Sequence, residues 1–97
     1  METGIELIAA ERERQVSKEC WTPDHDDTHD CFELSYSAVA YVVATFDDSG
    51  AYESFWPFGS CEIKLSDPIR NLVKAGALIA AEIDRLQRAS MKAEARP

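Results

Sequence analysis

The chain has 97 residues, of which 45% are apolar, enough for one domain with a core that can carry one site. Its net charge of −8 argues against direct nucleic-acid binding and for attraction to cations or basic protein surfaces. No apolar run reaches the ~18–20 residues needed to cross a bilayer, and the N-terminus has neither a basic leader nor an apolar h-region, so a cytoplasmic protein with no membrane partner is expected.

Thr3-Gly4-Ile5-Glu6 reads as a capping box, with Thr3 as N-cap and Glu6 at the third helical position. Ile5, Ile8, Ala9, Arg12 and Val16 then share one helical face, which predicts a helix over 4–18. It should stop before Trp21-Thr22-Pro23, because proline disfavours helical geometry in the preceding residue. Residues 22–30 read as a polar connection. Asp30, three residues before Glu33, resembles a second capping box. The 4, 3, 4, 3 spacing of Phe32, Tyr36, Val39, Val43 and Phe46 predicts a helix over 31–46, although the β-branched run at 41–45 would also suit a strand.

Asp47-Asp48-Ser49-Gly50 is a turn signal. Pro57 and Gly59 forbid a long regular element over 51–65, and the Ile63/Leu65 alternation suggests a short extended piece over 61–65. Asp67-Pro68 marks a strong helix start, aspartate as cap and proline at the first position. From there to Arg88, Ile69, Leu72, Val73, Gly76, Ile79, Ala80, Ile83 and Leu86 form an apolar stripe. Among them lie small residues that let another helix approach, within the protein or across a dimer. Residues 90–97 lack periodicity and read as a flexible tail. The expected fold is therefore all-α: a three-helix domain over 1–89, with a long irregular insertion before the last helix and more apolar surface than one protomer covers.

The charge is unevenly placed. No lysine or arginine occurs between Lys18 and Lys64, a stretch holding ten acids, whereas the two ends hold eight acids and ten bases. Within it, His25-Asp26-Asp27-Thr28-His29 superficially fits the H-[DE]-x-x-H pattern of zinc hydrolases. That pattern needs a helix and a third ligand, and Pro23 and the aspartates oppose the helix. A zinc site from Cys20, His25, His29 and Cys31 has spacing that matches no zinc module. The odd count of three cysteines, with Cys61, fits free thiols in a reducing compartment. A magnesium site is chemically reasonable from His25, Asp26, Asp27, His29 and Glu33 with Glu82 or Asp84, because magnesium is held by a few carboxylates plus substrate phosphates. Against it stands the reading that these acids cap a helix and stay solvated. No nucleophile–base constellation or glycine-rich phosphate loop is present, so an enzyme is the less favoured class and no catalytic residue is assigned. Tyr52, Phe55, Trp56 and Phe58 form an aromatic cluster that either anchors a partner or folds back with Trp21 to plug an undersized core.

The segments GIELIAAERERQ, WTPDHDD with His29 and Glu33-Leu34, WPF, and DPIRNLVKAGALIAAEIDRLQR together resemble a family of small uncharacterised proteins of tailed bacteriophages and prophages. The resemblance covers about residues 4–88. It falls on Trp21, Thr22, Pro23, His25, Asp26, Asp27, His29, Glu33 and Leu34, on Trp56 and Pro57, and on Asp67, Pro68, Arg70, Lys74, Gly76, Glu82 and Asp84. This chain departs from the pattern at Phe32, where glycine is usual, and at Phe58, where tryptophan is common; the cysteines lie outside it. The resemblance implies a bacterial host cytoplasm and an accessory protein that modulates host machinery or defence.

Together these readings lead to an acidic binding protein docking on a basic host protein surface through Asp24, Asp26, Asp27, Asp30, Trp56 and Phe58, in the manner of an anti-CRISPR-type inhibitor and without a cofactor. The alternative is a metal-dependent nucleotide-binding or nucleotide-hydrolysing protein using magnesium or zinc. A structural homodimer is the third class.

Overall fold

The computed structural model describes residues 1–95, which form four α-helices: α1 (Gly4–Lys18), α2 (Pro23–Asp26), α3 (Glu33–Phe46) and α4 (Pro68–Ala95). A single 3₁₀ turn, Ala51–Ser54, lies between the last two. No strand occurs among the described residues; 41–45 is helical, and 61–65, where the sequence suggests a short extended piece, carries neither helix nor strand. No helix of the described chain is long and apolar enough to cross a membrane.

The capping box opens α1: Thr3 Oγ1 accepts from the Glu6 amide at 3.2 Å, and Glu6 Oε1 accepts from the Thr3 amide at 3.0 Å. Beyond its end Cys20 turns left-handed (φ 60), and the Trp21 amide donates back to the Gln15 carbonyl at 3.0 Å. The expected polar connection over 22–30 holds a helix of its own. Thr22 caps it through the His25 amide at 3.3 Å, and Pro23 occupies its first position. Asp30 does not cap α3. Phe32 is its N-cap, in the left-handed region (φ 63), and Glu33 Oε1 accepts from the Cys31 amide at 2.6 Å instead. Phe32 thus adopts a backbone conformation that favours glycine.

Asp67 caps α4 through the Arg70 amide at 2.9 Å. The helix then runs to Ala95, past the point where a flexible tail was expected to begin; residues 96–97 of that tail lie outside the described residues.

The main packed pair is α3 on α4, with α1 across the first half of α4 and α2 against its later part. The core is Leu34, Ala38, Tyr41, Ala75, Leu78 and Ala81, flanked by Trp21, Val42, Trp56 and Ile63. Gly76 provides the close helix approach: a Cβ there would stand 2.5 Å from Ile8 Cδ1, so the small residue serves the contact with α1.

Which faces are buried departs from the periodicity. On α1, Ile5 is exposed, and the fully buried residues are Glu11 and Gln15. On α3, Phe32, Tyr36, Val39 and Phe46 are exposed while Leu34, Ser37, Ala38, Ala40 and Tyr41 are buried. On α4, Val73 is buried but Ile69, Leu72, Ile79, Ile83 and Leu86 are exposed. Both α3 and α4 bury several small side chains beside Leu34, Tyr41, Val73 and Leu78, and leave much of the predicted stripe of large residues outward.

Candidate functional site

The acids of the central stretch meet the bases of the chain's ends. Asp26, only 1% exposed, is ion-paired with Arg12 of α1, and Arg12 also donates to the Trp21 carbonyl at 3.2 Å. Asp27 accepts from Arg88 of α4 at 2.8 Å, with Lys92 at 3.8 Å. The Arg88 hydrogen bonds hold the Asp27 carboxyl below its ordinary value, outweighing the smaller opposing effect of burial. Glu82 is buried between Arg85 Nε at 2.5 Å and Ser35 Oγ at 2.7 Å. Sequence-distant arginines therefore hold Asp26 and Asp27, and α2 is clamped between α1 and α4.

For the residues of the metal reading, this arrangement leaves no shared centre. His29 Nδ1 lies 3.5 Å from Glu33 Oε2 and His25 Nδ1 lies 3.7 Å from Asp26 Oδ1, but Asp26, Asp27 and Glu82 are turned to arginines and Asp84 is exposed. Among the described residues no group of three or more His, Cys, Asp or Glu side chains converges to hold an ion. The donor set does not fit magnesium or zinc. The three cysteines are free and exposed.

Of the residues expected to meet a partner, Asp24 and Asp30 are exposed, Asp26 is enclosed, and Asp27 is held by Arg88. Trp56 and Phe58 turn inward. Together with Trp21, His25, His29 and Tyr41 they wall a cavity of about 330 Å³ between α1, α2, α3 and the 51–65 segment. The rings interlock edge to face: His25 on His29 at 5.0 Å, His29 on Phe58 at 5.3 Å, Phe58 on Trp56 at 5.3 Å and Trp56 on Tyr41 at 6.1 Å between centroids. Trp21 and His25 are parallel to within 4°. Trp56 is fixed by its indole N–H donating to the Cys61 carbonyl at 2.7 Å. Of the aromatic cluster, Trp56 and Phe58 fold back with Trp21, as one reading of the sequence expected, and line an open cavity, while Phe55 stays exposed.

Polar groups line the same cavity. Gln15 is 2% exposed, and Ser37 donates to the Glu33 carbonyl at 2.8 Å. Glu11 is buried between Arg14 and Arg70; burial is the largest influence and pushes its carboxyl up, yet the two arginines together hold it below its ordinary value. Lys74 donates to the Lys64 carbonyl at 2.7 Å and lies 5.6 Å from the Tyr41 ring centroid. Burial, aided by the charge of Arg70, lowers its pKa. Sequence reasoning missed Glu11, Arg14, Gln15, Ser37, Tyr41 and Lys74. The one available signal was Glu11 and Gln15 four residues apart, one helical turn, beside Ile8.

The fold and cavity define a small all-α chain with one aromatic-walled pocket. Comparison with protein-family models, curated proteins and solved structures finds no match.

Proposed function

We propose that this chain binds, without hydrolysing it, a small ligand carrying a planar heteroaromatic ring, a nucleobase or a nucleotide. The observation that carries this reading is the cavity of about 330 Å³ walled by Trp21, His25, His29, Tyr41, Trp56 and Phe58. Pockets of this size, mostly apolar with a few placed polar groups, suit small molecules, and stacking of a base on aromatic rings contributes about 1–3 kcal/mol. The buried amide of Gln15, whose oxygen accepts from Arg12 at 3.5 Å, can turn its NH2 group as a donor to an acceptor on the edge of a base. Lys64 and Lys74, which also line the cavity, would meet an anionic substituent such as a phosphate. Binding is favoured over hydrolysis because the acids that would hold a catalytic metal are engaged by arginines.

The test uses the chain's own reporters: both of its tryptophans line the cavity. Titration with nucleobases, nucleosides and nucleotides should change the tryptophan emission saturably. Gln15→Ala should weaken binding at least tenfold while the circular dichroism is retained. A flat response to every base, nucleoside and nucleotide overturns the proposal.

A second reading, docking on a basic surface of a host protein, rests on acids that the fold leaves exposed and outside its ion pairs: Asp24, Asp30, Asp48 and Glu53. Charge of this kind steers association and is screened by salt. A capture experiment at low and high salt, with Asp24→Asn/Asp30→Asn as control, tests it; capture indifferent to both refutes it.

A further inference from the structure

We infer that the outward face shared by α3 and α4 docks a second copy of this chain around a two-fold axis at Ile79. On α4 Val73 and Leu78 are buried, but five other large aliphatic residues point away from the protomer's own core: Ile69 is 68% exposed, Ile83 52%, Leu72 and Ile79 47% each and Leu86 43%. The residues α4 buries include Ala75, Ala77 and Ala81. The stripe on α3 converges on the same side, so that Val39 and Val42 line one groove with Ile79, Ile83 and Leu86, a space of about 420 Å³. Six outward side chains, Val39 with the five from α4, expose on the order of 500 Å² of apolar surface, the upper range for any patch on a monomer.

Charge and symmetry select the occupant. The groove's one ionisable lining group, Glu82, is buried and held by Arg85 and Ser35, so a charged partner finds nothing there to match. Leu72, Ile79 and Leu86 are spaced by seven residues, two helical turns, and lie on one line along α4. An antiparallel crossing centred on Ile79 sets position 72 of one copy against position 86 of the other, leucine on leucine, and joins the two Ile79 side chains on the axis. The surface is thus complementary to itself, the condition for an isologous dimer. These six side chains alone supply more than half of the about 800 Å² per partner of a standard interface.

The protomer's shape agrees. It measures 49 × 34 × 20 Å with a radius of gyration of 14.2 Å, against about 12.5 Å for a compact domain of this length. Pairing across the α3/α4 face brings α3 and α4 of two copies together as a four-helix core. No residue lining this groove lines the aromatic cavity, so ligand binding and pairing can fail independently.

Light scattering and sedimentation of the full chain over a concentration series test the inference. The expected mass is twice the 10.8 kDa of the chain, and Ile79→Glu should halve it while leaving the helical circular dichroism unchanged. A wild-type mass of one chain throughout overturns the inference, as does an Ile79→Glu variant that stays paired, an open-ended series of larger masses, or a complex containing a different protein on this face. If Ile79→Glu does not fold, oxidation decides. In a Cys20→Ser/Cys31→Ser/Cys61→Ser background, Ile79→Cys should yield a covalent dimer and Glu94→Cys should not; equal cross-linking, or none at position 79, refutes the axis.

Discussion

Replacing Asp26 with alanine removes one half of the ion pair that holds α2 to α1. Asp26 is 1% exposed, and its partner's side chain is 17% exposed. Breaking a buried pair by deleting one partner costs about 3–5 kcal/mol, because the remaining charge stays desolvated. Here Arg12 keeps the Trp21 carbonyl at 3.2 Å and some solvent, which places the cost at the lower end, about 3 kcal/mol. For a domain of this size that corresponds to a fall in melting temperature of roughly 12–24 °C. Urea unfolding followed by circular dichroism measures the free-energy change. Asp24→Ala, two residues away and exposed, is the control and should stay within about 0.5 kcal/mol of wild type. The double replacement Arg12→Met/Asp26→Leu should lose less than Asp26→Ala alone, since no charge is left without its partner. A loss below about 1 kcal/mol for Asp26→Ala, or one equal to the control, would refute the view that this aspartate is a structural clamp.

Stability should also depend on acid pH. Burial raises the Glu11 carboxyl but Arg14 and Arg70 overrule it, and Arg88 holds Asp27 down. Both folded-state values are therefore depressed, so the stabilisation is present above the unfolded carboxylate range of about pH 4 and is lost as pH falls through the folded values. Chemical unfolding at a series of pH values should show this loss, and Asp27→Asn should flatten part of it. At the start of α3, Phe32→Gly should hold or raise stability by up to about 1 kcal/mol. Relief of a left-handed backbone is worth about 1–2 kcal/mol, against about 0.5 for the ring's contact with the Arg85 guanidinium, 5.9 Å from its centroid, and about 0.5–1 for the added freedom of glycine. Phe32→Val keeps the strained backbone and should be destabilised on the same thermal melt.

Both ends of α1, the end of α3 and the start of α4 were readable from local signals, whereas the start of α3 and the end of α4 were misread. The Thr3–Glu6 box, the Asp67-Pro68 start and the helical spacing of apolar residues act within one or two turns of the chain, so sequence alone determined them. Even the missed helix α2 had a local signal, Thr22 as cap with Pro23 following, obscured by the neighbouring aspartates. What the sequence could not determine was which face of each helix turns inward. Periodicity marks an apolar stripe but not what covers it, and on α3 and α4 most of the predicted stripe faces outward while Leu34, Tyr41 and Leu78 join alanines in the core. The same limit applied to charge. DHDDTH appears base-free along the chain, yet Arg12, Arg88 and Lys92 reach it from the two ends, because helix packing places residues dozens of positions apart within a few ångströms. The aromatic pocket is likewise a product of tertiary structure alone: Trp21, His25 and His29 come from one segment, Trp56 and Phe58 from another, and Gln15 from a third. Only the packing of α1 and α3 on α4 closes them around one space.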